Sequence, residues 1–223
     1  DLQELIDATY DSDAYDLGHL YHKDVPNGNA GCIGCVGDNG KASAFSAHNF
    51  NGSNFDTDTF DIDYVSHEIG HQLGGHHTWS FAPEGTFNKV QFEPGSGSTI
   101  MGYAGITGPD DVQGDSDPYF HYGSIREIKA NIGTKVAKFT TFENPNIAPV
   151  VDAGDDYSIP IATPFVLTGT ATDENTNDIL TYAWEQTDLG VSHADNFSPL
   201  KYSGPVFRSH LPTTSNKRYL PNI

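Results

Sequence analysis

The segment HEIGHQLGGHH, residues 67–77, constrains this 223-residue chain more than any other stretch of its sequence. His67 and His71 are four residues apart, so on an α-helix their imidazole rings project from one face, one turn apart. Gly74 can adopt a left-handed backbone conformation at little steric cost, which ends a helix and turns the chain. The spacing therefore predicts a helix that stops at Gly74 and a return of the chain that brings His77 to the other two imidazoles.

Three imidazole ligands that leave one position open are typical of a hydrolytic zinc site, whereas structural zinc sites usually close all four positions with Cys or His. Glu68 follows the first histidine directly, where its carboxylate can reach a water molecule beside the metal without binding the metal itself. That is the position of a general base. We therefore predict a Zn²⁺ site, although other divalent ions also bind three histidines. The alternative is a packing role for these histidines without a metal.

A second segment, STIMGYAG at residues 98–105, contains Met101, the only methionine of the chain. A lone methionine is by default a flexible side chain that fills a gap in the core. Together with the extended histidine spacing, however, a downstream methionine turn resembles the metzincin clan of zinc endopeptidases. The resemblance implies that Met101 lies in a tight turn, the Met-turn, beneath the three imidazoles.

Within that clan, the chain is most similar to the bacterial reprolysin-like (M12B-type) enzymes, in GSGSTIM at residues 95–101 and in DPYFH at residues 117–121. Many reprolysins have Asp directly after the third histidine, where this chain has Thr78, so the likeness to that subfamily is incomplete. The resemblance implies a hydrolase, a metalloprotease that cleaves protein or peptide substrates. Its expected zinc ligands are His67, His71 and His77, and its expected general base is Glu68.

Tyr103 follows Met101 by two residues. In the metzincins that resemble astacin and serralysin, a tyrosine at this offset binds the metal reversibly or helps to stabilise the oxyanion, and a phenol can donate a hydrogen bond to developing negative charge. Tyr103 is therefore a candidate catalytic residue. The alternative is a tyrosine that only lines the wall of the cleft.

Residues 29–36 are small and apolar, which favours an edge strand of the catalytic sheet. In the clan this strand borders the cleft and pairs with an extended substrate through backbone hydrogen bonds. The residues expected to bind substrate in this way are Ala30, Gly31, Cys32, Ile33 and Gly34. On an extended strand Cys32 and Cys35 point to opposite faces, which disfavours a bridge between them. We therefore expect both thiols to be free, or one to pair with a segment outside this sequence.

Composition divides the chain into two parts joined by a linker at residues 143–149. Residues 1–142 are expected to form an α+β metzincin catalytic domain, with a twisted sheet, the zinc-binding helix, and a lower subdomain that holds the Met-turn and a closing helix at residues 124–132. Because only 66 residues precede His67, the first strands of that sheet are expected to be missing.

The second part, residues 150–223, alternates short strand-like runs at 165–167 and 180–184 with turns rich in Gly, Asp and Asn. It resembles the PKD-like, immunoglobulin-type β-sandwich modules of extracellular bacterial enzymes, with Trp184 as the core aromatic. We expect this all-β module to be truncated at the end of the chain.

The net charge of −19, from 30 acidic and 11 basic residues, disfavours nucleic acid and anionic membranes as partners. No apolar run approaches membrane-spanning length, so no membrane insertion is expected. Acidic clusters at residues 110–111, 115–117 and 152–156 are candidate Ca²⁺ sites, and solvated loops are the alternative. With the protease motif, these features predict part of a secreted, extracellular bacterial zymogen whose leader and pro-segment are absent. They leave the oligomeric state open.

Two classes of function are compatible with these features. The first is a zinc endopeptidase, in which Glu68 is the general base and the edge strand holds the peptide extended. The second is a non-catalytic extracellular binding protein that uses the β-sandwich module. The intact Glu68 favours the first class, because a decayed site would be free to lose that residue.

Overall fold

The computed structural model describes residues 2–49, 58–84, 89–140, 146–193, 200–201 and 203–221. The first part of the chain contains helices α1 (Leu2–Asp7), α2 (His67–Leu73) and α3 (Tyr122–Gly133) and strands β1 (His19–Lys23), β2 (Asn27–Asn29) and β3 (Ala44–His48). The second part contains strands β4 (Val150–Asp152), β5 (Phe165–Thr168), β6 (Thr170–Thr172) and β7 (Lys217–Leu220). The mixture of small sheets and helices over the first 140 residues is consistent with the expected α+β domain. No helix within the described ranges is long and apolar enough to cross a membrane.

The three strands of the first sheet lie in the order β1, β3, β2. Strand β1 runs parallel to β3, and β2 runs antiparallel to it, with Asn29 opposite Phe45. The central strand buries Ala44, Ser46 and Ala47, whose small side chains allow helix α2 to pack closely against it. The sheet therefore serves as the support for the helix that bears two of the histidines.

Helix α2 follows a π-helical segment, Phe60–Ser66, and ends where the sequence predicts. Gly74 has a φ of 119°, and its N–H donates to the carbonyls of Gly70 and His71, which completes the last turn. The helix buries a polar face rather than an apolar stripe. Gln72 has no exposed surface, and its amide donates to the carbonyls of Gly18 and Lys41 at 3.0 and 3.1 Å. Burial of the Gln72 amide is tolerated because backbone carbonyls accept its hydrogen bonds.

The edge strand predicted at residues 29–36 is wrong, because β2 ends at Asn29 and the chain then bends. The bent residues include Ala30, Gly31, Cys32, Ile33 and Gly34, and φ is 69° at Gly31 and 77° at Gly34. Glycine adopts these values readily, and they are incompatible with a continuous strand. The N–H groups of Gly34 and Val36 donate instead to the carbonyls of His71 and Gln72, at 2.8 and 3.0 Å. We call residues 30–36 the cleft loop.

The bend also makes the expectation of free thiols wrong. Cys32 and Cys35 form a disulfide bond, with their Cα atoms 5.9 Å apart. That separation lies within the usual range for disulfides. The two side chains do not point to opposite faces, because the chain between Cys32 and Cys35 is bent and not extended.

Helix α3 closes the first part of the chain and starts two residues before the predicted closing helix. His121 is its N-cap, and the N–H of Gly123 donates to His121 Nδ1 at 3.0 Å. Near the other end of α3, the amide of Asn131 donates to the carbonyls of Leu73 and Gly34, at 2.8 and 3.2 Å. Asn131 therefore holds the end of α2 and the cleft loop together.

The described strands of the second part form two separate antiparallel pairs, β4 with β6 and β5 with β7. The strand predicted near residue 165 is present as β5, whereas residues 180–184 contain only an isolated bridge from Tyr182 to Thr213. Trp184 is half-buried, with its ring close to Gly169. A complete two-sheet sandwich is not seen in the described residues of 150–221, and the immunoglobulin-type interpretation stays a prediction.

The described residues of the range 183–221, which we call the C-terminal segment, pack against the first part of the chain. The N–H of Gly95 donates to the carbonyl of Ser192, and the N–H of Ser192 donates to the carbonyl of Ser80, at 2.6 and 2.8 Å. The hydroxyl of Ser98 donates to the carbonyl of Ser209 at 3.3 Å. The segment thus contacts Ser80 and two residues shortly before Met101, Gly95 and Ser98.

Candidate metal centre

Three histidines converge at the end of helix α2. The candidate ligand atoms of His67, His71 and His77 all lie within 4.8 Å of one another, and 3.0 Å separates Nε2 of His71 from Nε2 of His77. His67 and His71 are buried and His77 is half-buried. The helix supplies the first two rings one turn apart, and the turn at Gly74 returns the third.

Each of these imidazoles is oriented by an acceptor behind it. Nδ1 of His67 donates to the carbonyl of Ile100, and Nδ1 of His71 donates to the carbonyl of Gly75, both at 2.7 Å. Nδ1 of His77 contacts the carboxylate of Glu84. Because a carbonyl or carboxylate oxygen can only accept, we assign the proton of each neutral ring to Nδ1. The Nε2 lone pairs are then left facing one another.

The electrostatics of the cluster favour neutral rings. Burial and the neighbouring imidazoles hold the pKa of His67 well below its usual range, and they lower the pKa of His71 to about 4. Converging lone pairs repel one another unless a cation lies between them. Three imidazoles, each with an acceptor bonded to its second nitrogen, are the donor set and the supporting contacts that Zn²⁺ prefers. The residues present therefore fit a divalent metal ion.

Glu84 is a functional candidate that the sequence analysis missed. Its carboxylate is paired with His77 seven residues earlier, and both residues line the same cavity. A hydrogen bond of this kind orients a ligating imidazole and increases its basicity. No spacing rule points to Glu84, because it lies in a loop whose path is not set by helical or strand periodicity.

Glu68 lies between helix α2 and strand β2. It is buried, and a Cβ atom added at Gly28 would lie only 2.4 Å from Glu68 Oε1, so the strand passes directly over the carboxylate. Burial raises the pKa of Glu68 to about 7, opposed by a hydrogen bond from the backbone of Ala30. The carboxylate is thus held beside the three imidazoles with a higher proton affinity than it has in water.

Met101 lies in a tight turn directly under α2. The N–H of Gly102 donates to the carbonyl of Thr99 at 2.8 Å, which closes the turn. Met101 has no exposed surface, and a Cβ atom added at Gly70 would lie 2.5 Å from its sulfur. The thioether therefore packs against the helix between the first two histidines, and glycine is required there for space. The carbonyl that orients His67 belongs to the same turn.

Aromatic rings form one wall beside the histidines. The ring of Tyr103 lies 4.5 Å from that of His77 and 5.6 Å from that of His67, measured between centroids. Trp79 stacks on His77 at 5.5 Å. Burial, together with the charges of Glu84 and Glu68, raises the pKa of Tyr103 to about 12. The phenol therefore keeps its proton at neutral pH and can donate a hydrogen bond into the site.

A cavity of about 760 Å³ opens in front of the histidines. From strand β2 and the cleft loop, it is lined by Asn27, Gly28, Asn29, Ala30, Gly31, Cys32 and Ile33. Gly34, expected to bind substrate, is not among the lining residues and is hydrogen-bonded to His71 instead. The cavity has the position and size of a substrate cleft.

The acidic clusters show a different organisation from that of the histidines. Asp111 accepts hydrogen bonds from the backbone and hydroxyl of Thr107, at 2.9 and 2.6 Å, and Asp115 accepts one from Thr59. Within the described part of the chain, the three histidines form the one group of His, Cys, Asp or Glu side chains with metal-binding geometry. Calcium binding stays a prediction.

The family model described as Metallo-peptidase family M12B Reprolysin-like matches residues 1–139. The matched range contains every residue described above for the metal centre and ends before strand β4. No curated protein and no solved structure matches the chain.

Proposed function

Since this chain belongs to the reprolysin-like metallopeptidases of family M12B, we propose that it is a zinc-dependent endopeptidase that hydrolyses peptide bonds in extended protein substrates. One observation carries the proposal: the rings of His67, His71 and His77 converge in an open cavity that the buried carboxylate of Glu68 also lines. This arrangement supports catalysis, because a purely structural metal site has no use for an adjacent base and an open side.

The metal would be held by Nε2 of His67, His71 and His77. A zinc ion bound there supplies Lewis-acid polarisation of the scissile carbonyl and of a water molecule. The acceptors at Ile100 and Glu84 hold two of the rings in the ligating orientation before any metal arrives. This preorganisation reduces the ordering that binding would otherwise require.

Glu68 is the proposed general base. Its carboxylate takes a proton from the attacking water while the water oxygen bonds to the carbonyl carbon, and it then transfers that proton to the leaving amine as the C–N bond breaks. Its fixed position between α2 and β2 supports this role, because a general base must lie within hydrogen-bonding reach of the water. The protonated phenol of Tyr103 is the proposed donor to the developing oxyanion.

The substrate is proposed to pair with strand β2. Among the described strands, β2 pairs only with β3, so its other edge faces away from the sheet. The cavity-lining residues of β2 and the cleft loop then follow the peptide in an extended conformation. This replaces the edge strand predicted at residues 29–36 with a shorter one at Asn27–Asn29 and a bent continuation.

We also propose that Met101 forms the Met-turn of the clan and that the protein acts outside the cell. The burial of Met101 against Gly70 supports the first assignment. The Cys32–Cys35 disulfide supports the second, because disulfides persist mainly in oxidising compartments.

The test compares cleavage of casein by the wild type and by Glu68→Gln, each at confirmed one-to-one zinc loading, with and without a chelator. Loss of the base is expected to lower the rate by about 100- to 10,000-fold while zinc stays bound. The Gln oxygen can still accept the hydrogen bond from Ala30, so folding should be preserved. An inert zinc-loaded wild type, or an equally active Glu68→Gln, would overturn the proposal, and the first result would favour a binding protein.

A further inference from the structure

Glu93 is a fully buried carboxylate at the centre of a hydrogen-bond network behind the histidines. It has no exposed surface. Its Oε1 accepts from the hydroxyls of Thr78 and Thr99. Its Oε2 accepts from the N–H and hydroxyl of Ser98 and from the N–H of Thr99, at 2.9, 3.4 and 3.3 Å. The five donors are hydroxyl and backbone amide groups, none of which carries a charge.

A charge placed in this way is unusual for a group that only fills space. Burying a carboxylate away from water is costly, and an apolar side chain of similar size often gives a fold that is as stable or more stable. What the carboxylate adds is geometry, because its two oxygens fix several donors at once. The backbone of Glu93 is also held, since its N–H donates to the carbonyl of Thr78 at 2.9 Å and its carbonyl accepts from the hydroxyl of Ser80 at 2.7 Å.

The donors belong to two segments that each end at the metal centre. Thr78 directly follows His77, the third histidine. Ser98 and Thr99 directly precede Ile100, whose carbonyl accepts the hydrogen bond from His67 Nδ1. The N–H of Thr78 also donates to the carbonyl of Met101 at 3.0 Å. Glu93 therefore connects the residue after one histidine with the turn that orients another.

We propose that Glu93 is a positioning residue for the metal centre, which sets the distance between the third histidine and the turn that orients the first. The proposal rests on the proposed function, because it assumes that these histidines bind a divalent metal. Glu93 does not touch the cleft and acts through Thr78, Ser98 and Thr99. Contacts behind the ligands commonly change metal affinity by about 10- to 100-fold when they are removed.

The test uses Glu93→Gln, Thr78→Val and the control Glu185→Gln. Gln keeps the shape of Glu93 but places an amide NH₂ against neighbouring donors, and Val removes only the hydroxyl of Thr78. Glu185 is a matched control because its side chain is 6% exposed and lies outside the cleft, within electrostatic range of Glu93. Its carboxylate accepts from the N–H of Tyr122, whereas the hydrogen bonds from Thr78, Ser98 and Thr99 belong to Glu93. The readouts are Zn²⁺ affinity by competition with a chromophoric chelator, the visible spectrum of the Co²⁺-loaded protein, and thermal unfolding of the full chain.

Glu93→Gln is expected to weaken Zn²⁺ binding by about 10- to 100-fold and to change the Co²⁺ spectrum, with a smaller change in the same direction for Thr78→Val. Glu185→Gln is expected to lower the unfolding temperature and to leave both metal readouts unchanged. Wild-type affinity and an unchanged spectrum in folded Glu93→Gln would overturn the proposal. If Glu93→Gln does not fold, unchanged metal readouts in Thr78→Val have the same meaning.

The wild type separates this proposal from the proposed function. If the wild type fails to bind Zn²⁺ or binds it without cleaving casein, the proposed function itself is wrong. If the wild type binds Zn²⁺ and cleaves casein while Glu93→Gln binds Zn²⁺ equally well, only the role of Glu93 is wrong.

Discussion

The orientation of single side chains determines whether the centre can bind a metal. Nδ1 of His67, of His71 and of His77 is directed at a fixed acceptor, so Nε2 is available without a change of tautomer. Tyr103 completes the set on the cleft side, where its ring contacts His67 and His77 and its phenol keeps its proton. In the proposed mechanism the imidazoles would act as lone-pair donors and the phenol as a proton donor.

Tyr103→Phe tests the role of the phenol. The ring remains, so its packing on His77 and Trp79 should be kept, and only the hydroxyl is lost. If that hydroxyl stabilises the oxyanion, kcat on a peptide substrate should fall by about 100-fold while KM changes little. The measurement is a full kinetic comparison at equal zinc content. An unchanged kcat would make Tyr103 a residue of the cleft wall.

At this scale the sequence predicted that His67, His71 and His77 come together, but not which contacts hold them. His67, Glu68 and His71 follow from helical spacing, and Gly74 explains how His77 returns. Glu84 and Glu93 could not be predicted, because each meets its partner through a loop. A carboxylate in a polar loop has the same local sequence whether it is solvated or buried, and only tertiary packing distinguishes the two cases.

The cleft loop is hydrogen-bonded to α2 and to the region at the end of α3. Its N–H groups bond to the last carbonyls of α2, and Lys135, at the end of α3, donates to the carbonyl of Val36 at 3.1 Å. Lys135 also forms an ion pair with Asp38 at 2.7 Å. Lys138 forms a second ion pair with the same carboxylate. Asp38 therefore links the end of α3 to the turn that follows the cleft loop.

The Asp38 link predicts a dependence of stability on pH. Hydrogen bonds from Lys135 and Lys138 lower the pKa of Asp38 to about 2, whereas an unfolded Asp titrates near about 3.9. A depressed carboxyl pKa contributes stability that is present above about pH 4 and lost as the pH falls towards about 2. Urea unfolding of the wild type should therefore weaken more steeply over this range than that of Asp38→Asn, and less so in high salt. Parallel pH profiles would contradict the assignment.

The prediction of elements succeeded where local chemistry decides and failed where tertiary contacts do. The sequence predicted that α2 stops at Gly74, and the helix does so in the structure. The cleft loop was predicted as a strand because small apolar residues favour strands, yet Gly31 and Gly34 take positive φ and bond to α2. The disulfide was not predicted for the same reason, since the approach of Cys32 to Cys35 depends on the bend between them.

At the scale of the whole molecule, the C-terminal segment is hydrogen-bonded to the first part of the chain. Ser192 and Ser209 are hydrogen-bonded to residues that precede the turn at Met101. Glu185 covers His121, which has no exposed surface, at a distance of 3.6 Å. Composition could suggest a boundary near residues 143–149, but it could not reveal these contacts, which join residues far apart in the sequence.

Two changes to the chain test this integration. A chain that ends at residue 140 should unfold at a lower temperature than the full chain, because Gly95, Ser80 and Ser98 lose partners and His121 becomes exposed. The control carries a specific protease site in the linker and is cut after folding. Its two pieces should elute together in gel filtration and keep the unfolding temperature of the intact chain. Separation of the pieces without loss of stability would show an independent module.

The hydrogen bonds that hold the cleft loop in place affect which substrates the cleft can accept. The cleft loop is hydrogen-bonded to α2, to Asn131 and to Lys135. Moving it outward to admit a bulky substrate would break those hydrogen bonds. A peptide must then enter in an extended conformation. The substrate rather than the enzyme bears the free-energy cost of adopting that conformation. We therefore expect compact proteins to be cut only at disordered tails and at places where they unravel spontaneously. Cleavage would report the local unfolding of the target as much as its sequence.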